Sequence, residues 1–162
     1  MNQRPAHDLV VSTSDLQMRY GSTQVLDGID LDVEAGGVVA VLGPNGAGKS
    51  TTIEILEGFR SRSGGEVSVL GADPATADES WRSQIGVVLQ NSGDHGKWRP
   101  EQLLGHLGDF YRPYVDPWPV NELLELVGLT EQAGQRIQTL SGGQRRRLDV
   151  ALGVIGRPPL LF

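Results

Sequence analysis

The stretch Gly43-Pro44-Asn45-Gly46-Ala47-Gly48-Lys49-Ser50 constrains this chain more than any other. It satisfies the pattern G-x-x-x-x-G-K-[ST]. Its glycines let the backbone curl so that consecutive N–H groups point inward at phosphate oxygens. The apolar run Val38 to Leu42 leads into it and reads as a strand buried on both faces. A helix is expected to follow to about Glu57, with Ile53 and Leu56 on its inner face, and its positive N-terminal end points at the same spot. Lys49 would set a point charge between the β- and γ-phosphates, and Ser50 would offer a hydroxyl to Mg²⁺. Lysine occurs elsewhere only at Lys97, which sets Lys49 apart among basic residues that are nearly all arginine. The plain alternative is a glycine-rich strand-to-helix turn without a ligand.

Around this loop the periodicity alternates between strand and helix. Leu9 to Tyr20 and Gln24 to Glu34 read as strands. In the second, Ile29, Leu31 and Val33 alternate with Asp30, Asp32 and Glu34, which fits an antiparallel sheet with one wet face. Gly58 is placed to end the helix after the loop. Glu66 to Leu70 reads as another strand, Ala75 to Ser83 as a short helix, and Ile85 to Leu89 as a second wholly apolar strand ending at Gln90. From residue 91 to about 139 the texture changes, with helices expected near Glu101 to Tyr111 and Val120 to Val127. A further helix opens at Ser141 and runs to about Ile155. Pro158-Pro159 breaks it before the apolar Leu160-Leu161-Phe162. Residues 1 to 8 read as a loose arm.

A second glycine motif, Leu140-Ser141-Gly142-Gly143-Gln144, opens the Ser141 helix. Ser141 and Gln144 have the S-x-x-Q spacing of a capping box, with Leu140 as a hydrophobic staple, and a cap alone says nothing about function. Yet two glycines, poor helix formers, fill the first turn. Three arginines, Arg145 to Arg147, crowd the positive end of the helix, where cations are disfavoured. A segment that breaks two local rules points to an anion held by bare N–H groups.

Composition removes several classes. The formal net charge of −6 over 162 residues argues against nucleic acid or anionic lipid as a partner. With no cysteine, disulfides and thiolate metal sites are excluded. No apolar run approaches the roughly 18 residues of a membrane span, and the polar Met1 to Asp8 has no signal-peptide core. A cytoplasmic chain is expected, reaching a membrane only through a partner. His7, His95 and His106 have no metal or triad spacing.

The order of Gly43 to Thr51, Gln90 after an apolar strand, and Leu-Ser-Gly-Gly-Gln at 140 to 144 resembles the nucleotide-binding domain of ABC transporters, most closely the drug and antibiotic exporter type. The resemblance covers about Leu16 to Phe162. It implies an α/β fold: a P-loop NTPase core with an N-terminal antiparallel β subdomain and an α-helical signature subdomain at about 91–139, inserted in a single domain, 1–162. It also implies ATP and Mg²⁺ as cofactors. Gly43, Pro44, Asn45, Gly46, Ala47, Gly48, Lys49, Ser50 and Thr51 would hold the phosphates. Tyr20 would stack on adenine. Gln90 would contact Mg²⁺ or the attacking water, and Ser141, Gly142, Gly143 and Gln144 would close over the γ-phosphate of ATP held by a second subunit. The partners implied are ATP, a transmembrane permease subunit and a second ATP-binding subunit in a head-to-tail homodimer on the cytoplasmic face of the membrane. Arg145 to Arg147 receive no individual role.

The family follows its signature helix with an apolar strand ending in Asp and then Glu. Leu160-Leu161-Phe162 resembles the start of that strand, so the sequence is expected to be a C-terminally truncated ATPase lacking the metal-holding and water-activating carboxylates. Two other readings stay open: a soluble ABC-type ATPase acting on ribosomes or DNA, and a short ATP-binding module that does not hydrolyse.

Overall fold

Val11, Thr13, Leu16 and Met18 are the buried residues of the strand Leu9–Tyr20 (β1). Their spacing shifts by one residue between Thr13 and Leu16, because Asp15 adopts a left-handed φ of 49° and makes a bulge there. The Asp15 N–H is taken up by the Asp30 carboxylate at 2.8 Å. The computed structural model describes residues 9–89 and 95–162; the arm 1–8 and Gln90 lie outside them.

The described chain forms two compact units, Met1–Trp81 and Arg82–Phe162. In the first, β1 is the centre of a three-stranded antiparallel sheet between Thr23–Glu34 (β2) and Gly64–Val69 (β3). The expected antiparallel pairing of the first two strands is present. The alternation of β2 is only weakly used: Leu31 and Val33 are half-buried, Ile29 is exposed, and Leu26 alone is fully buried. The helix Lys49–Leu56 (α1) contributes Thr52, Ile55 and Leu56 to the interior. Leu56 is inside as expected, but Ile55 takes the place expected for Ile53. Gly58, at φ 76°, ends this helix, and a Cβ there would press within 3.2 Å of the Trp81 ring. Trp81 closes this core, donating its indole N–H to the Val69 carbonyl at 2.7 Å.

The largest departure from expectation is Val38 to Leu42. The run is not a strand, and Val38 and Leu42 are 98% and 88% exposed. A strand is buried on both faces only when neighbours flank and cover it. Among the described residues none pairs with this run, and the sheet of its own unit is antiparallel and ends at β2 and β3. The short helix after β3 is also smaller than expected, Glu79–Arg82 (α2).

The second unit holds Ile85–Gly86 (β4), Pro100–Tyr111 (α3), Val120–Leu126 (α4), Gly142–Val154 (α5) and Leu160–Leu161 (β5). Two 3₁₀ turns, Thr130–Gln132 and Ile137–Thr139, lie between α4 and α5. β4 and β5 pair in parallel, and the Val88 N–H continues the ladder to the Phe162 carbonyl at 2.9 Å. The regular strand is therefore two residues long where Ile85 to Leu89 was expected. Leu103, Leu104, Leu123, Leu124, Leu148 and Ile155 join the helices into one buried cluster.

Candidate functional site

Gly48 is the pivot of the phosphate loop. Its φ of 83° is left-handed, and it is the N-cap of α1. A Cβ at this position would overlap the Leu26 side chain and lie 3.0 Å from the Val25 carbonyl. Only glycine lets the loop press this closely onto β2 while turning into the helix. The Gly48 carbonyl accepts from the Thr52 N–H at 2.8 Å and the Thr52 hydroxyl at 3.1 Å, fixing the first turn.

The Lys49 amine donates back to the Gly43 and Pro44 carbonyls at 2.9 and 2.7 Å, bracing the loop from inside. Ala47 donates to the Pro44 carbonyl at 3.3 Å. The amides of Gly46, Gly48, Lys49 and Ser50 donate to no acceptor among the described residues. Donors without acceptors among the described residues, next to a primary amine and the positive end of α1, are the donor set a polyphosphate takes. Ser50 is exposed and Thr51 half-buried, on the first turn of α1. No group of three or more His, Asp or Glu among the described residues could hold a metal. The loop thus fits a triphosphate, and Mg²⁺ would rest on Ser50 and the phosphates themselves, as this cation commonly does.

Tyr20 ends β1 and is 43% exposed. The Arg60 guanidinium lies over its ring, 5.2 Å from the centroid. Arg60 Nε also donates to the Glu54 carboxylate at 2.6 Å. Glu54 follows Lys49 by five residues along α1, a rise of about 7.5 Å. The aromatic ring is therefore tied by one side chain to the helix that carries the phosphate loop. Sequence reasoning missed Arg60, because nothing local marks an arginine four residues beyond a helix end.

The second glycine motif is a capping box in fact. Gln144 N–H donates to the Ser141 hydroxyl at 3.3 Å, and Ser141 N–H donates to the Gln144 side chain at 2.8 Å. Leu140 is buried in the helical cluster while Ser141, Gly142 and Gly143 are exposed. Unlike Gly48, neither Gly142 nor Gly143 has a positive φ, and a Cβ on either meets nothing within 4 Å. The fold does not ask for glycine at these two positions; close approach by something else would.

The three arginines that follow each reach a different carbonyl. Arg145 donates to Ile137 at 2.8 Å, Arg146 to Leu89 at 3.0 Å and Arg147 to Gly128 at 3.4 Å. They bind the head of α5 to three separate segments, which offsets their unfavourable place near a helix N-terminus. Leu89 is the residue before Gln90, and Gln90 itself lies outside the described residues. In the same unit, Val87, Leu89, Trp98, His106, Asp149 and Leu152 help line a cavity of about 370 Å³ whose lining includes none of Leu140 to Gln144. The rings of Trp98, His106 and Phe110 meet in sequence, the first pair tilted at 5.3 Å and the second edge-on at 5.0 Å between centroids.

A chain of strands and helices with a G-x-x-x-x-G-K-S loop at a helix N-terminus is an α/β P-loop protein. The model of the ABC transporter family matches residues 26–162, and the chain belongs to that family. It is 38% identical, over its whole length and 49% of the relative's, to the daunorubicin/doxorubicin resistance ATP-binding protein DrrA of Streptomyces peucetius. It is 34% identical over 99% of its length, and 46% of the relative's, to the methionine import ATP-binding protein MetN of Rhizobium johnstonii. The Nod factor export ATP-binding protein I of Cupriavidus pinatubonensis is 33% identical over 98% of this chain and 49% of its own. The chain thus spans about half the length of these curated relatives. A solved ATP-binding subunit of an ABC transporter superposes with a TM-score of 0.78 at 24% identity, covering 94% of this chain and 64% of that one, a likeness of fold. No helix among the described residues is long and apolar enough to cross a membrane.

Proposed function

We propose that this chain is the ATP-binding part of a transporter ATPase, one incomplete nucleotide-binding domain that holds MgATP on Gly43 to Thr51 with Tyr20 against adenine. The observation that carries the reading is the set of amides at Gly46, Gly48, Lys49 and Ser50 that have no acceptor among the described residues, in a loop whose one amine lies at the head of α1. In the full-length protein, Ser141 to Gln144 close on ATP held by a second copy, and Gln90 serves the metal or the attacking water. Hydrolysis then drives a permease on the cytoplasmic face of the membrane. Exposed glycines at 142 and 143, where the fold has no use for them, support the shared site. Export is favoured over import by the relatives named for drug resistance, against those named for methionine import.

The test is Lys49→Ala in the full-length protein, titrated with a fluorescent ATP analogue. Loss of one charge-assisted contact to triphosphate costs about 1.5–3 kcal/mol, so affinity should fall at least tenfold. Unchanged affinity would remove the phosphate-loop assignment.

A further inference from the structure

Arg60 is held over the exposed ring that the proposed function gives to the base. Gly58 turns the chain back at the end of α1, and the N–H groups of Phe59 and Arg60 both donate to the Glu54 carbonyl, at 2.9 and 3.1 Å. The same residue's carboxylate takes Arg60 Nε at 2.6 Å. This double hold on Glu54 swings the guanidinium over the Tyr20 ring, 5.2 Å from its centroid. Neither partner is forced there by packing, since Tyr20 is 43% exposed and the Arg60 and Glu54 side chains 37% and 39%. A guanidinium whose central carbon lies over an aromatic ring, 5.2 Å from its centroid, stands in the path of a base stacking on that face. The two cannot share one face of the ring.

We infer that Arg60 is a placeholder on the base platform: a purine gains the face of Tyr20 only by displacing Arg60, and the Glu54–Arg60 latch sets how much of the nucleotide's affinity comes from its base. This deepens the proposed function and rests on Tyr20 being the platform. A protein built this way reads mainly the phosphates and discriminates weakly between bases.

The measurement is calorimetric titration of the full-length protein with ATP and, separately, with inorganic tripolyphosphate. Tripolyphosphate has no nucleoside, so the change in the ratio of the two dissociation constants between variants separates contacts to the nucleoside from the loss of a positive charge. In Arg60→Leu the advantage of ATP over tripolyphosphate should grow roughly two- to fivefold, the share of an exposed cation–π contact. Glu54→Gln, which keeps the shape of the side chain and loosens the latch, should move the ratio the same way by less, and it carries the test alone if Arg60→Leu does not fold. Tyr20→Ala should shrink the ratio and cancel the effect of Arg60→Leu. A ratio that is unchanged or smaller in Arg60→Leu, with Tyr20→Ala still shrinking it, overturns the placeholder and leaves the platform standing. A ratio untouched by Tyr20→Ala overturns the platform, and the placeholder with it.

Discussion

At the scale of single residues, Glu57 shows how position sets chemistry. It is half-buried just beyond α1, and burial, with repulsion from Glu54 added, raises its carboxyl from 4.5 to about 7. Between these values the folded protein keeps a proton that the unfolded chain has released. Stability therefore falls as pH rises through that window, and the full penalty stands above pH 7. Water screens a half-exposed carboxylate, so the effect is about 1 kcal/mol. Glu57→Gln should raise the melting temperature at pH 8 by about 2–4 °C and change nothing near pH 4. Thermal denaturation followed by circular dichroism at both pH values is the check, and an equal gain at pH 4 would mean that the carboxyl is not the cause. Nothing in the sequence singled out Glu57: a glutamate at the end of a helix reads as a solvated charge until its neighbours are known.

Among the elements, the two glycine motifs look alike in sequence and differ in physical origin. Gly48 is required by the backbone, through its left-handed φ and the overlap that a Cβ would make with Leu26. Gly48→Ala should destabilise the first unit by about 1–3 kcal/mol and disturb the start of α1. Gly142 and Gly143 sit in ordinary helical backbone facing open space. Gly142→Ala and Gly143→Ala should be neutral or stabilising by up to about 1 kcal/mol, yet lower ATP hydrolysis by the full-length protein. Urea unfolding beside a phosphate-release assay separates the cases; equal loss of stability from all three substitutions would contradict the distinction. The helix and cap at Ser141 were legible because a capping box is local. The bulge at Asp15 was not, because a strand pattern broken by one residue looks continuous when nearly every residue can face either way.

For the whole molecule, the proposed function asks two glycine motifs in two units to serve one chemistry. If each ATP is held between the loop of one copy and the signature of another, Ser141→Arg should leave nucleotide binding by the single subunit nearly intact while blocking ATP-driven dimerisation. Losing the cap costs about 0.5–2 kcal/mol, so the subunit still folds. Size-exclusion chromatography in ATP, on a hydrolysis-deficient full-length background, is the readout. A Ser141→Arg protein that dimerises like its parent would reduce the motif to a helix cap. What the sequence determined by itself is what short-range physics encodes: glycine positions that set φ, the cap at Ser141, the helix periods, and the glycine loop that leads into α1. The tertiary structure decided what depends on partners far along the chain. It gave Arg146 the carbonyl of Leu89, placed Arg60 over Tyr20 and, among the described residues, left Val38 to Leu42 without a paired strand. An apolar run states that burial is favourable, and an arginine that a carbonyl would suit it, but neither carries the address of the segment that supplies it.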